Sequence, residues 1–213
     1  MQSGYARLVV GAVSGQQSIP FQTEAEGEGP VKDLQRVRHG LLGFFCFYLT
    51  ACTGVPEGIE PITGFDQSRY LGTWYEIARL DHSFEHGLSE VSATYGVNPD
   101  DTISVLNRGF DSETGEWREA EGIARFVRSS DVAHLKVSFF GPFYGSYVVF
   151  ELGENYDYAF VSGFNRNYLW FLARTPQVSE ALREQFLETI TDLGFESEDL
   201  IWLDEPEMMS AKR

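Results

Sequence analysis

The sequence predicts an all-β fold, an eight-stranded antiparallel up-and-down barrel with one C-terminal helix packed outside it. Three observations carry the prediction. Short segments of alternating apolar and polar residues recur from Tyr70 onward, each bounded by turn chemistry. Beyond Pro176 the period becomes helical: Leu182, Phe186, Ile190 and Leu193 lie 4, 4 and 3 apart, with Gly194 as a stop. The chain has 213 residues, 43% apolar and 15% aromatic. At roughly 150 residues per domain that is one packed domain plus an extension.

The turns are Asn98-Pro99-Asp100-Asp101, Asp111-Ser112-Glu113-Thr114-Gly115, Ser129-Ser130-Asp131, Gly141-Pro142, Gly153-Glu154-Asn155 and Asn165-Arg166-Asn167. Between them fall strands at 74–80, 91–97, 102–110, 117–127, 133–140, 145–152, 158–163 and 168–174. From the second strand on the connections are of hairpin length, so a meander is the economical topology, and closing it removes the exposed edges. Ile201-Trp202-Leu203 reads as a terminal strand returning to the sheet, and the tail after it as frayed.

The front of the chain is chemically distinct. Residues 1–51 carry four basic and four acidic groups, so the formal charge of −16 belongs wholly to the later residues, with 12 basic and 28 acidic. Such a charge repels phosphate backbones, and no nucleic-acid partner is expected. Arg36-Val37-Arg38-His39 precedes an apolar run at about 40–49, the order of a signal peptide's n-region and h-region. The run is about half the roughly 20 residues that a membrane-spanning helix needs. Leu49-Thr50-Ala51-Cys52 then resembles the lipobox of bacterial lipoproteins, in which the cysteine is acylated, for example with palmitate, and becomes the new N-terminus.

Residues 1–51 are therefore expected to be a precursor segment. Its first 35 residues fit no signal plan and point to an over-extended start, with initiation near Val31 or Val37. Cleavage removes Cys46 and leaves Cys52 alone, used for acylation and not for a disulfide. Thr53 is not the aspartate that retains lipoproteins in the inner membrane, so the resemblance implies an outer-membrane anchor, with the protein facing the periplasm. Residues 52–63, with Gly54, Pro56, Gly58 and Pro61, read as a lipidated tether, 64–206 as the barrel domain and 207–213 as a tail.

Gly72-Thr73-Trp74-Tyr75-Glu76-Ile77 on the first strand resembles the Gly-x-Trp signature of the lipocalins, and Arg174 sits where that family has an arginine stacked on the tryptophan. Of the middle signature only Tyr156 matches. The stretches 70–84, 91–95, 107–110, 122–127, 135–145 and 168–176 resemble the bacterial, outer-membrane branch of the family, related to apolipoprotein D. The resemblance implies binding of fatty acids or lysophospholipids, and it alone suggests a homodimer.

Placing Trp74 inside puts Glu76 and Ala78 inside by alternation. Aligning the other strands with the family pattern places Val91, Ala93, Val105, Asn107, Gly122, Ala124, Phe126, Val137, Phe139, Tyr147, Tyr168, Trp170 and Leu172 inside, as candidate cavity residues. Small side chains leave volume and aromatics line it, which suits an acyl chain. Asn107 and the tyrosine hydroxyls are candidate polar contacts. A ligand carboxylate beside Glu76 requires one of the two to be protonated, which favours lysophospholipid over free fatty acid at neutral pH.

No catalytic residue, cofactor or metal is expected. His82-Ser83-Phe84-Glu85-His86 matches a zinc-peptidase pattern, but that chemistry needs a helix, and here the motif reads as a solvated loop at the barrel mouth. His134 and Glu113, Glu116, Glu119 and Glu121 read as exposed hairpin positions. Two alternatives to lipid binding stay open: an enzyme using Glu76 as a buried acid or base, and a structural or partner-binding lipoprotein with a filled barrel.

Overall fold

The structure, a computed structural model, describes residues 53–203. Cys52, the precursor segment and the tail lie outside the described residues. Strands β1 (Gly72–Leu80), β2 (Leu88–Val97), β3 (Ile103–Asp111), β4 (Glu116–Phe126), β5 (His134–Phe140), β6 (Phe143–Leu152), β7 (Tyr158–Ser162) and β8 (Leu169–Ala173) pair antiparallel in sequence order. β1 pairs with both β2 and β8, which closes the barrel. A four-residue helix α1 (Gln67–Tyr70) precedes β1; its cue is Asp66, whose side chain accepts from the Ser68 amide.

The core has two parts. Inside the barrel lie Trp74, Tyr95, Val105, Ala124, Val149, Val161 and Leu172, with Phe65 and Tyr70 below them. Outside, helix α2 (Glu180–Asp192) buries Phe186 and Ile190 against Phe160 and Phe171, the outward residues of β7 and β8. Ser179 caps the helix start, and Gly194, at φ 75°, ends it where an L side chain would be strained. β9 (Leu200–Trp202) then pairs with the second half of β1.

β1 departs from simple alternation. A bulge between Glu76 and Ala78 inserts one residue, so Ala78, expected inside, packs outside with Ile77 beneath α2. Arg79 takes the inward position instead. Beyond the bulge β1 leaves β2 and pairs with β9, so β2 loses its ladder partner there.

Residues 53–63, read above as a tether, lie against the barrel. Pro56 and Ile59 are buried, and Val55 and Ile59 join the outer core. The Ile62 amide donates to the Val149 carbonyl, and the Ala133 amide to the Ile62 carbonyl. Enough apolar side chains punctuate the glycines and prolines for this segment to dock.

Candidate functional site: the barrel interior

One end of the barrel is closed by the residues of the family signatures. Trp74 is fully buried, and its Nε1–H donates to the Tyr70 carbonyl at 2.8 Å. The Arg174 guanidinium lies 3.9 Å over the Trp74 ring. It also donates to three carbonyls, of Thr73 at 2.9 Å, Arg69 at 2.8 Å and Tyr156 at 3.2 Å. Gly72 begins β1 under this guanidinium at φ 90°, a backbone conformation that would strain an L side chain. The Tyr156 hydroxyl accepts from the Asp66 amide and so ties α1 to the β6–β7 turn.

Above this floor three tyrosines meet. The Tyr147 hydroxyl is 2.7 Å from that of Tyr70 and 3.0 Å from that of Tyr95. Burial pushes all three phenols up, so each keeps its proton. Two hydrogen bonds among three hydroxyls use two protons, and one O–H remains to be donated. Tyr70, Tyr95 and Tyr147 also line a cavity of ≈ 20 Å³, room for about one water, together with Phe65, Ile103, Ala124, Leu135 and Val137. Small-molecule pockets run from about 300 to 1,000 Å³, so these walls must move apart to admit an acyl chain.

The expected cavity positions are distributed along this interior. Val105, Ala124 and Leu172 belong to the inner core, and Ala93, Phe126, Val137, Phe139, Tyr147 and Trp170 pack against it. Phe139 lies so close over Gly122 that a Cβ there would be 2.8 Å from the ring. Val91 reaches towards Gly109, where an added Cβ would lie 3.2 Å from its Cγ2. Asn107 Oδ1 is buried without a hydrogen-bond partner among the described residues.

At the open end the β1–β2 loop folds inward, correcting the expectation of a solvated loop. His82 and Glu85 are buried, and only His86 of the zinc-like pattern is exposed, beside Asp81. Arg79 organises this region. Its Nη2 donates to the carbonyls of Glu85 and Leu88, replacing the ladder that β1 and β2 lack beyond the bulge. Its Nη1 donates to Glu76 Oε1 at 2.7 Å. Glu85 accepts from Trp170 Nε1 at 3.1 Å and lies 3.0 Å from His82 Nε2, close but without hydrogen-bond alignment. His82 and Phe84 stack towards Tyr168 and Trp170 across the mouth.

The two carboxyls separate in proton affinity. Burial, and then the charge of Glu85, push Glu76 well above the usual carboxylate range despite Arg79. Burial also acts to raise Glu85, but His82, Trp170 and Arg79 together hold it below that range. Glu76 therefore holds its proton more tightly than a free carboxyl and Glu85 less tightly.

A raised folded pKa contributes stability below the unfolded value that is lost as pH rises. Glu76→Gln keeps the oxygen that Arg79 binds and removes this titration. The variant is therefore expected to match the parent near pH 4 and to exceed it increasingly above, by up to about 1.4 kcal/mol per pH unit across the titration. Thermal melts between pH 4 and 8 measure this, and a pH-independent loss would contradict it.

Sequence reasoning missed Tyr70, Tyr95 and Arg79 as interior residues. Tyr95 was accessible by stepping two residues from Ala93; Arg79 was hidden by the bulge. His134, expected exposed, is buried and hydrogen-bonded to Ser146 Oγ at 3.0 Å beneath the docked N-terminal segment. Glu113, Glu116, Glu119 and Glu121 are exposed. No cluster of three or more potential metal ligands occurs among the described residues.

Residues 65–205 match the family model of the lipocalin-like domain. The outer membrane lipoprotein Blc of Vibrio cholerae is 57% identical over 158 residues, 74% of this chain and 92% of that protein. Its Escherichia coli counterpart is 45% identical over 162 residues, 75% of this chain and 92% of that protein. Mouse apolipoprotein D is 29% identical over 167 residues, 75% of this chain and 85% of that protein. Among solved structures, insecticyanin of the tobacco hornworm superposes with a TM-score of 0.57 at 20% identity, covering 72% of this chain and 88% of that one, which speaks for the fold alone.

Proposed function

The chain belongs to the lipocalin family, and from that premise we propose that it is an outer-membrane lipoprotein that binds, stores or transports lipids in its barrel for envelope maintenance. The observation that carries this is the interior itself. The inward faces of a closed eight-stranded barrel are apolar and surround a small cavity at the hydroxyl cluster, the wall that an entering acyl chain would spread apart. An acyl chain gains about 0.8 kcal/mol per methylene buried there. The methyl end of the chain lies towards the closed floor, while a phosphate headgroup stays at the mouth in water.

The resemblance to outer membrane lipoproteins supports acylation of Cys52 and an outer-membrane location facing the periplasm. No helix among the described residues is long and apolar enough to cross a membrane, and the acyl group supplies the anchor in this reading. The 52–63 segment, the 64–206 domain and the 207–213 tail follow from the same reading. Arg79 donates to one oxygen of the Glu76 carboxyl, which supports a structural role for this residue at the open end over an acid or base role.

Mass spectrometry of lipids extracted from the purified protein tests the proposal. Lysophospholipids or fatty acids are expected at near one per barrel, and a barrel devoid of extractable lipid would favour the filled, structural alternative. In displacement titrations at pH 7, lysophospholipid is expected to bind tighter than free fatty acid, because the carboxylate must enter beside Glu85. Phe139→Trp, which adds volume over Gly122, is expected to weaken both by about tenfold, or 1.4 kcal/mol, by overfilling the wall.

A further inference from the structure

We propose that the outer face of β5 and β6 up to Phe150, with residues 122–126 of β4 and the β5–β6 hairpin tip, is the surface that rests on the phospholipid bilayer. The inference rests on Cys52 acylation in the reading above.

Its first support is charge. The chain has 32 acidic residues, yet residues 132–150, the whole of β5 and most of β6, contain none. Over 122–150 the charges are Arg125, Arg128 and Lys136 against Asp131, a local balance of 3 − 1 = +2 on a chain of −16, bordered by Glu119 and Glu121 in the first half of β4 and by Glu151 at the end of β6. Arg125 and Lys136 are cross-strand partners that project outward, because their neighbours Ala124 and Val137 face the interior. The one carboxylate near Arg125 is that of Asp100, at 3.6 Å. An anionic lipid surface is repelled by the rest of the exterior and admitted here.

The second support is exposed apolar area. Phe140 is 79% exposed and Phe143 69% exposed at the hairpin tip, and Ile123 adds to the same outer face. Aromatic rings left in water beside cations are the composition of an interfacial contact.

The third is where the anchor begins. The Thr53 backbone is hydrogen-bonded to the His134 ring on the outer side of β5, and residues 55–62 are docked on the barrel. Cys52 is one peptide unit away, about 3.8 Å between Cα atoms. A lipid on Cys52 therefore has almost no slack and brings this face, not another, to the membrane.

The test uses the full chain, purified from membranes and reconstituted in vesicles of phosphatidylethanolamine and phosphatidylglycerol. Phe140→Cys and, at the opposite end of the barrel, Val97→Cys are labelled with a polarity-sensitive dye. Lipids brominated on their acyl chains are expected to quench the dye at position 140 several-fold more than at position 97, with a blue shift at 140 alone. Phe143→Ser combined with Lys136→Glu is expected to abolish the difference. Equal or absent quenching at both positions overturns the proposal. So does crosslinking between two copies through position 140 without quenching, which would make the face a dimer contact. Mass spectrometry of the N-terminal peptide separates the two levels. An acylated Cys52 with no quenching at 140 overturns the docking face alone, whereas an unmodified Cys52 overturns the anchor on which it rests.

Discussion

Replacing Arg79 by methionine is expected to cost about 3–5 kcal/mol, a large part of the 5–15 kcal/mol that stabilises a typical domain. The guanidinium is 1% exposed and holds four things at once: the Glu76 carboxyl, the charge of Glu85, and the carbonyls of Glu85 and Leu88. Methionine fills much of the same volume, so the loss is electrostatic and not a cavity. Without Arg79, Glu85 becomes a buried carboxylate with only His82 and Trp170 beside it, and the β1–β2 loop loses the donors that replace its ladder. The sign of the pH dependence follows. Glu85 has a lowered pKa in the parent, so it stabilises the fold above the usual carboxylate value, and that contribution fades as pH falls through the folded value. In Arg79→Met much of it is absent at neutral pH, and the deficit narrows below about pH 4.5 as the carboxyl protonates. Adding Glu85→Gln is expected to restore part of the loss. Urea unfolding at pH 7 and pH 4 measures all three effects; a loss under about 1 kcal/mol, or one independent of pH, would show that water already screens the cluster.

Trp74→Ala is expected to be comparably damaging, about 3–5 kcal/mol, because a buried indole is replaced by a cavity at the closed end. The loss has separable parts. Trp74→Phe retains a ring for Arg174 but leaves the buried Tyr70 carbonyl without its donor, at about 1–3 kcal/mol. Arg174→Met removes the stacked cation and three hydrogen bonds to carbonyls, which tie together the α1 helix, the start of β1 and the β6–β7 turn. A double-mutant cycle between Trp74→Ala and Arg174→Met is expected to give a coupling of about 0.5–2 kcal/mol. Additive losses would mean that the 3.9 Å stacking is contact without interaction.

The division between local and distant information shows in particular residues. Eight strands and one outer helix were legible because their patterns are local: a period of two in β3, and a recurrence near 3.6 from Leu182 to Leu193. The closed-end pair was legible too, since Gly72-Thr73-Trp74 and Arg174 carry a spacing found across the family. The front segment likewise announces its chemistry through a basic cluster, an apolar run and Cys52 in order.

β1 shows where such reading stops. From Glu76 to Leu80 every residue is buried, because one face lines the barrel and the other lies under α2 and β9. With both faces buried, alternation carries no parity signal, and the bulge that turns Ala78 outward and Arg79 inward leaves no trace in composition. The docked 53–63 segment is similar: its glycines and prolines are local features, but the groove that receives Val55 and Ile59 is made by β6 and β8, about a hundred residues later.

The sequence by itself thus determined the elements, their order and the family, because those depend on neighbours a few residues apart. Only the tertiary structure decided what the barrel presents to a ligand and to a membrane. The hydroxyls of Tyr70, Tyr95 and Tyr147 come within 3.0 Å of one another only when the barrel closes, and Arg79 meets Glu76 and the Glu85 carbonyl only because the bulge in β1 turns it inward. Burial then shifts their proton affinity: the Glu76 carboxyl holds its proton more tightly inside the folded barrel than in the unfolded chain.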